Sequence, residues 1–259
     1  MAAFPANGPA RMNIVSPWLH LGYIIPHLYT DMDAYQFYRV APDGMMLVTT
    51  GLNLKEYSLA AVETELPALW RAFDLLKHKN VDRIALSGVP VASVLGRKKM
   101  REILDEASQR TGLPCDTDLE AHIATLQHFG VTRLALATRW PENVNTALTA
   151  YLKEAGIEVV VCRARGRTLD QNKVSSAAAD HDLALELGAQ ALRDAPQAQA
   201  LLLPGGLWYA IHAVPLLEAE FGKPVLLNIT STTWAALNAA PKPLQQKPDP
   251  RWGKVLSSV

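Results

Sequence analysis

Cysteine is scarce: only Cys115 and Cys162 occur in a chain of 259 residues. That excludes a disulfide framework, and the spacing fits no zinc motif. Both thiols are expected to stay reduced, in a cytoplasmic protein. The sequence implies no metal and no cofactor. An excess of charge is missing too, since 25 basic residues face 25 acidic ones. Nothing therefore draws the chain to nucleic acid or to an anionic membrane surface. Apolar runs are short and interrupted, so no segment is expected to span a bilayer. The opening MAAFPANGPARMNIVSPW lacks the basic start and apolar core of a signal peptide. Residues 1–17 are read as a flexible leader.

What is present is core-forming material. Hydrophobic residues make up 49% and charged residues 19%, the balance of a globular protein with a large interior. The length suits one large domain or two joined halves.

Short β-rich runs alternate with amphipathic helical runs. Strands are predicted over 20–26, 44–52 and 81–88, with helices over 31–42, 58–78 and 97–112. A short strand at LPCD and a helix over 118–130 follow. The pattern then restarts: strands over 131–138, 157–164, 198–205 and KPVLLN, with helices over 141–156, 175–195, 208–222 and 232–240. Strands separated by helices of this length imply parallel βαβ units.

The restart carries information. GLPCDTDLEAHIATL (112–126) and GKPVLLNITSTTWAAL (222–237) share a layout of Gly-x-Pro, short strand, polar turn and helix. VDRIALSGVP and AQALLLPGGL occupy equivalent places. The expected fold is α/β, with two similar Rossmann-like halves, parallel sheets, pseudo-two-fold symmetry and a cleft between them. The halves are placed at 18–130 and 131–245, with a tail over 246–259. In open α/β sheets ligands bind beyond the carboxyl ends of the strands. The loops of interest are therefore PHLYTD, SGVPVAS, CDTD, ATRWPENVN, PGGLW and NITSTT.

These segments also resemble a known family. LGYIIPHLYT, FYRVAPDGMMLVTTGLNL, GLPCDTDLEAHIATLQHFGVTRLALATRWPENVN, LDQNKVSS, LLLPGGLWYAIHAVPLLEAEFGKPV and DPRWGKVL occur in order along the chain. Together they resemble the Asp/Glu racemase superfamily, within it the arylmalonate decarboxylase and maleate isomerase branch. The resemblance implies cofactor-free chemistry on small carboxylic acids, with one or two cysteines as acid, base or nucleophile. This chain departs from that pattern. The two cysteine positions fall on Gly88 and Pro204, and the residues after the first are Val89 and Pro90. The family's loop Asn becomes Tyr29, and its Tyr after Ala-Thr becomes Trp140.

Other groups must then act. Gly205 and Gly206 are expected to present consecutive N–H groups near the start of a helix at about Trp208, a cradle for a carboxylate or enediolate oxygen. Gly88 and Val89 stand at the matching place in the first half. Asn172 matches a carboxylate-contacting Asn by resemblance, or else supports its own turn. Trp140 and Tyr29 wall the pocket or belong to the core. The Tyr29 hydroxyl and the neutral-range His27 are candidate proton donors, His27 otherwise being structural. Asp118 is a candidate base or a helix N-cap, and Asp116 is a second acid at that strand end. Ser231, with Thr230 and Thr232, either caps a helix or contacts the ligand. His212 is read as packing, and Asp180, His181 and Asp182 as a solvated helix face.

The function implied is a cofactor-independent lyase, decarboxylating a small malonate- or dicarboxylate-like acid through an enediolate without the family's cysteines. The alternatives are an isomerase or racemase with substituted groups, a non-catalytic carboxylate-binding homologue, or a hydrolase that activates water with Asp116 or Asp118. The partner expected is a small carboxylate. The chain allows a homo-oligomer and does not specify one.

Overall fold

The computed structural model describes residues 17–29, 32–241 and 243–259. The leader reading therefore falls almost wholly outside the described residues, as does the start of the 31–42 helix.

The first half holds β1 (Leu19–Ile25), α1 (Met32–Val40), β2 (Met45–Gly51), α2 (Leu59–Lys77), β3 (Arg83–Leu86), α3 (Val89–Leu95), α4 (Arg97–Thr111), β4 (Cys115–Thr117) and α5 (Asp118–His128). The second holds β5 (Arg133–Thr138), α6 (Glu142–Glu154), β6 (Glu158–Ala164), α7 (Leu169–Lys173), α8 (Ala177–Asp194), β7 (Ala200–Leu203), α9 (Ala213–Phe221), β8 (Val225–Leu227) and α10 (Asn228–Asn238). A 3₁₀ turn (Pro250–Trp252) and α11 (Lys254–Ser257) close the chain.

The two sheets have the same topology. One runs β2-β1-β3-β4 and the other β6-β5-β7-β8, with every pairing parallel. The inner strands are apolar because helices cover both faces: Leu134–Ala137 and Leu201–Leu203 are fully buried. Across the pseudo-two-fold, α5 packs on α10, α3 on α6, and α1 on α10. The carboxyl ends of both sheets thereby face one another. Among the described residues no helix is long and apolar enough to cross a membrane.

Local chemistry sets the element ends. Ser58 caps α2 by accepting from the Ala61 amide, and Thr117 caps α5 by accepting from the Glu120 amide. Gly112 and Gly222 end α4 and α9 in the left-handed conformation. Two expectations need correcting. The helix expected at 208 starts at Ala213, because 207–212 form turns. His212 is consequently the N-cap of α9, its ring 5.3 Å from that of Trp252. Two short helices, α3 and α7, stand where the sequence suggested loops; seven and five residues are too few to show a helical period.

Candidate active site

One cavity lies where the two sets of strand ends meet. It is lined by Pro26 and His27 after β1, Asp33 on α1, Tyr57, Ser87, Gly88 and Pro90 after β3, Arg139 and Trp140 after β5, and Gly205, Gly206 and Leu207 after β7. The loops at Gly88 and Gly205 thus share one space. Its volume is about 30 Å³.

Behind the cavity, a polar network ties the halves together. The Asp118 carboxylate accepts from Asn228 Nδ2 at 2.6 Å, Thr232 Oγ1 at 2.8 Å, the Gly88 amide at 3.4 Å and the Tyr23 hydroxyl at 3.3 Å. Asn228 Oδ1 in turn accepts from the Gly205 amide at 2.8 Å. The remaining contact, His122 Nε2 to Asn228 Oδ1 at 3.0 Å, fixes the tautomer: Nε2 carries the proton, so Nδ1 accepts from Ser231 Oγ at 2.9 Å. Burial pulls the His122 ring down to about 4, against the opposing bond to Asn228. Burial pushes the Asp118 carboxyl up to about 6, while its donors, Thr232 foremost, oppose the rise.

This network reassigns several candidates. The Gly205 N–H is spent on Asn228, and α9 starts eight residues later, so no helix N-terminus backs the glycine pair. Thr117, not Asp118, caps α5; Asp118 is the first residue of the helix, wholly buried behind Gly88. Ser231 is buried against His122, Val89 is buried in the core, and neither Ser231 nor Val89 lines the cavity. Tyr29 is 51% exposed and lies outside the cavity lining. Asn172 is buried behind Tyr57, its Nδ2 donating to the Tyr57 hydroxyl at 3.4 Å. Asp116 forms an ion pair with Arg83 at 2.6 Å. Gly88, Trp140, Gly205, Gly206 and His27 do line the cavity.

Three residues the sequence reading passed over stand at the centre. Arg139 is 3% exposed and Asp180 1%. Arg139 Nη1 donates to both Asp180 oxygens at 2.9 Å, leaving Nη2 and Nε without a hydrogen-bond partner among the described residues. Burial lowers the guanidinium's pKa and the Asp180 charge opposes that. The same group lies 5.5 Å over the Trp208 ring. Asp180 is therefore no part of a solvated face, as the helix reading had it; it also accepts from Ser175 Oγ and the Tyr209 amide.

Asp33 comes next. It sits on the same face of α1 as Gln36, three residues on. Gln36 reaches across the halves, donating to the Trp208 carbonyl at 3.1 Å and accepting from the Ala210 and Ile211 amides at 3.0 and 3.1 Å. That clamp seats the Asp33 carboxylate directly against the Cα of Gly206, where any Cβ would meet it. The Ser87 hydroxyl donates to Asp33 Oδ2 at 3.4 Å. Tyr57 is the third. Its ring packs edge-on to Trp140 at 6.4 Å, and burial raises its phenol, against the Asn172 hydrogen bond.

No thiol reaches this cavity. Cys115 on β4 and Cys162 on β6 lie outside its lining. Burial raises both thiols, Cys162 to about 11, so neither is a ready thiolate. Among the described residues no cluster of His, Cys, Asp and Glu could hold a metal ion.

Two parallel α/β halves closing over one charged cavity define a duplicated α/β fold class. The chain belongs to the arylmalonate decarboxylase family, whose model matches residues 21–251. The arylmalonate decarboxylase of Bordetella bronchiseptica is 26% identical over 202 residues, covering 78% of this chain and 82% of that one. Among solved structures, a liganded arylmalonate decarboxylase carrying Gly→Cys and Cys→Ser exchanges matches with a TM-score of 0.84 at 24% identity, over 93% of this chain and all of that one. The maleate cis-trans isomerase of Nocardia farcinica, in a Cys→Ser variant with a covalently bound succinylcysteine intermediate, gives 0.80 at 18%, over 93% and 99%. At these identities the two structures establish the fold. The relatives are decarboxylase and isomerase enzymes.

Proposed function

We propose that this chain decarboxylates small malonate-type acids without a thiol and without a cofactor. The observation that carries the reading is the composition of the cavity: a buried guanidinium with free donors, a carboxyl group against a glycine wall, and no cysteine.

Arg139 takes one carboxylate of the substrate through Nη2 and Nε, a pairing suited to the guanidinium fork. The second carboxylate lies toward Pro26, Pro90 and Leu207, where its charge is poorly solvated and loss of neutral CO₂ is favoured. Two carboxylates this close cannot both stay ionised, so a dicarboxylate entering beside Asp33 brings a proton with it. The C–C bond then breaks and CO₂ leaves. The electron pair passes into the retained carboxylate as an enediolate held by Arg139. Asp33 delivers that proton to the α-carbon and the monocarboxylate departs; Asp33, left ionised, takes up its next proton from solvent only as the next dicarboxylate enters. The net change is one proton consumed and one CO₂ released. His27, which also lines the cavity, is a second proton carrier.

Incubation with methylmalonate in D₂O tests the reading. The expected result is CO₂ release and propionate with one solvent deuterium at its α-carbon. Isomerisation of maleate without CO₂ release, or tight binding of dicarboxylates with no turnover, would overturn it.

A further inference from the structure

A second, much larger cleft adjoins the cavity from outside. It has a volume of about 470 Å³ and is lined by Lys55, Ser58, Asn143, Thr168 and Asp170 among others. Among the described residues Tyr57 is the one that lines both spaces. Its position is held at three points. Its carbonyl accepts from Asn143 Nδ2 at 3.3 Å, its hydroxyl accepts from Asn172 Nδ2 at 3.4 Å, and its ring stands edge-on to Trp140. The inner side offers about 30 Å³, the outer side more than ten times that.

We infer that the Tyr57 ring is the size filter of the site: it confines the substrate's α-substituent to a methyl-sized group, and the polar cleft beyond it is the outer arm of the same binding site. This rests on the reading that the inner cavity binds a small acid. With the ring removed, the two spaces join, and a substituent leaving the α-carbon passes Trp140 to end among Ser58, Asn143 and Thr168. The substrate class this opens is acids with a ring-sized α-substituent ending in a polar group.

The filter is read by binding, so that it can be judged apart from turnover. Acetate, propionate, phenylacetate and 4-hydroxyphenylacetate are titrated into wild type, Tyr57→Ala, Tyr57→Leu and Tyr57→Phe, each confirmed folded by its unfolding transition. The expected result is that wild type and Tyr57→Phe prefer the two small acids. Tyr57→Ala and Tyr57→Leu should gain at least tenfold for the two aryl acids relative to propionate, most for 4-hydroxyphenylacetate. An unchanged ratio in both shortened variants, or the same gain in Tyr57→Phe, overturns the filter. Failure of wild type to bind either small acid overturns the underlying reading of the cavity instead.

Discussion

Asp118 and Asn228 meet across the pseudo-two-fold, the amide nitrogen of one 2.6 Å from the carboxylate oxygen of the other. Each is the first residue of the helix that follows the last strand of its half. Each also holds the backbone amide of the glycine that follows the third strand, Gly88 for Asp118 and Gly205 for Asn228. The duplication has therefore been turned into a brace that fixes both cavity loops from behind.

Cutting that brace should cost stability. Asn228→Ala strands the Gly205 amide and His122 Nε2 and removes one of the donors to the Asp118 carboxylate. A buried polar group left unmade costs about 1–3 kcal/mol, so a loss of about 3 kcal/mol or more is expected in urea unfolding. Asn228→Asp should be worse, since it sets two carboxylates face to face.

The brace also shapes the response to acid. His122 stays neutral down to about pH 4 when folded, against 6.5 for an ordinary histidine. Its contribution is present above pH 6.5 and is lost as pH falls toward 4. Asp118 titrates at about 6 rather than 3.8, so it contributes in the opposite sense: its ionisation costs stability as pH rises from about 4 to 6, and acidification relieves it. The two oppose one another in the wild type. His122→Gln removes one of them, and the variant's urea midpoint should rise relative to that of the wild type as pH falls from 6.5 to 4.5. Parallel profiles for the two proteins would contradict this.

Arg139→Gln should weaken binding of carboxylates by about 10–100-fold, the equivalent of one charge-assisted interaction of about 1.5–3 kcal/mol. It also takes from the buried Asp180 its nearer cation, leaving only Arg167 at 3.7 Å, and breaking a buried pair in this way costs about 3–5 kcal/mol. The double variant Arg139→Gln/Asp180→Asn should recover most of that stability and none of the binding. Recovery of both would move the carboxylate site away from Arg139.

Gly206→Ala places a methyl group where the Asp33 carboxylate lies. Turnover should fall by roughly 100-fold, in the range of a lost positioned acid, with the fold retained. Asp33→Ala should cause a loss of similar size. The double variant should be little worse than either alone, because both remove the same carboxyl group from the same place. Additive losses would show that they act separately.

Much of this architecture could be read from the residues alone. The alignment of GLPCDTD with GKPVLLN already superimposes Asp118 on Asn228, and the alignment of VDRIALSG with AQALLLPG superimposes Gly88 on Gly205. What the alignment could not show was that these equivalent residues bind one another, since contact across a two-fold leaves no periodicity in a single sequence. Arg139 lay inside a loop already singled out, hidden beside the more conspicuous Trp140. Its partner Asp180 looked like surface because DHD is polar. Asp33 was missed for a related reason: a carboxylate on an amphipathic helix reads as solvated until a second half is packed against it. Tyr29, in turn, drew attention by position in a motif, while the tyrosine that lines the cavity is Tyr57, from a loop with no signal of its own.

The central claim is that chemistry here depends on a carboxyl group and not on a thiol. The most direct measurement is CO₂ release from methylmalonate by three proteins side by side: wild type, Cys115→Ser/Cys162→Ser, and Asp33→Asn. The account predicts that the cysteine-free protein keeps the wild-type rate while Asp33→Asn loses it and still binds propionate. Loss of activity in the cysteine-free protein, with Asp33→Asn unimpaired, would contradict it.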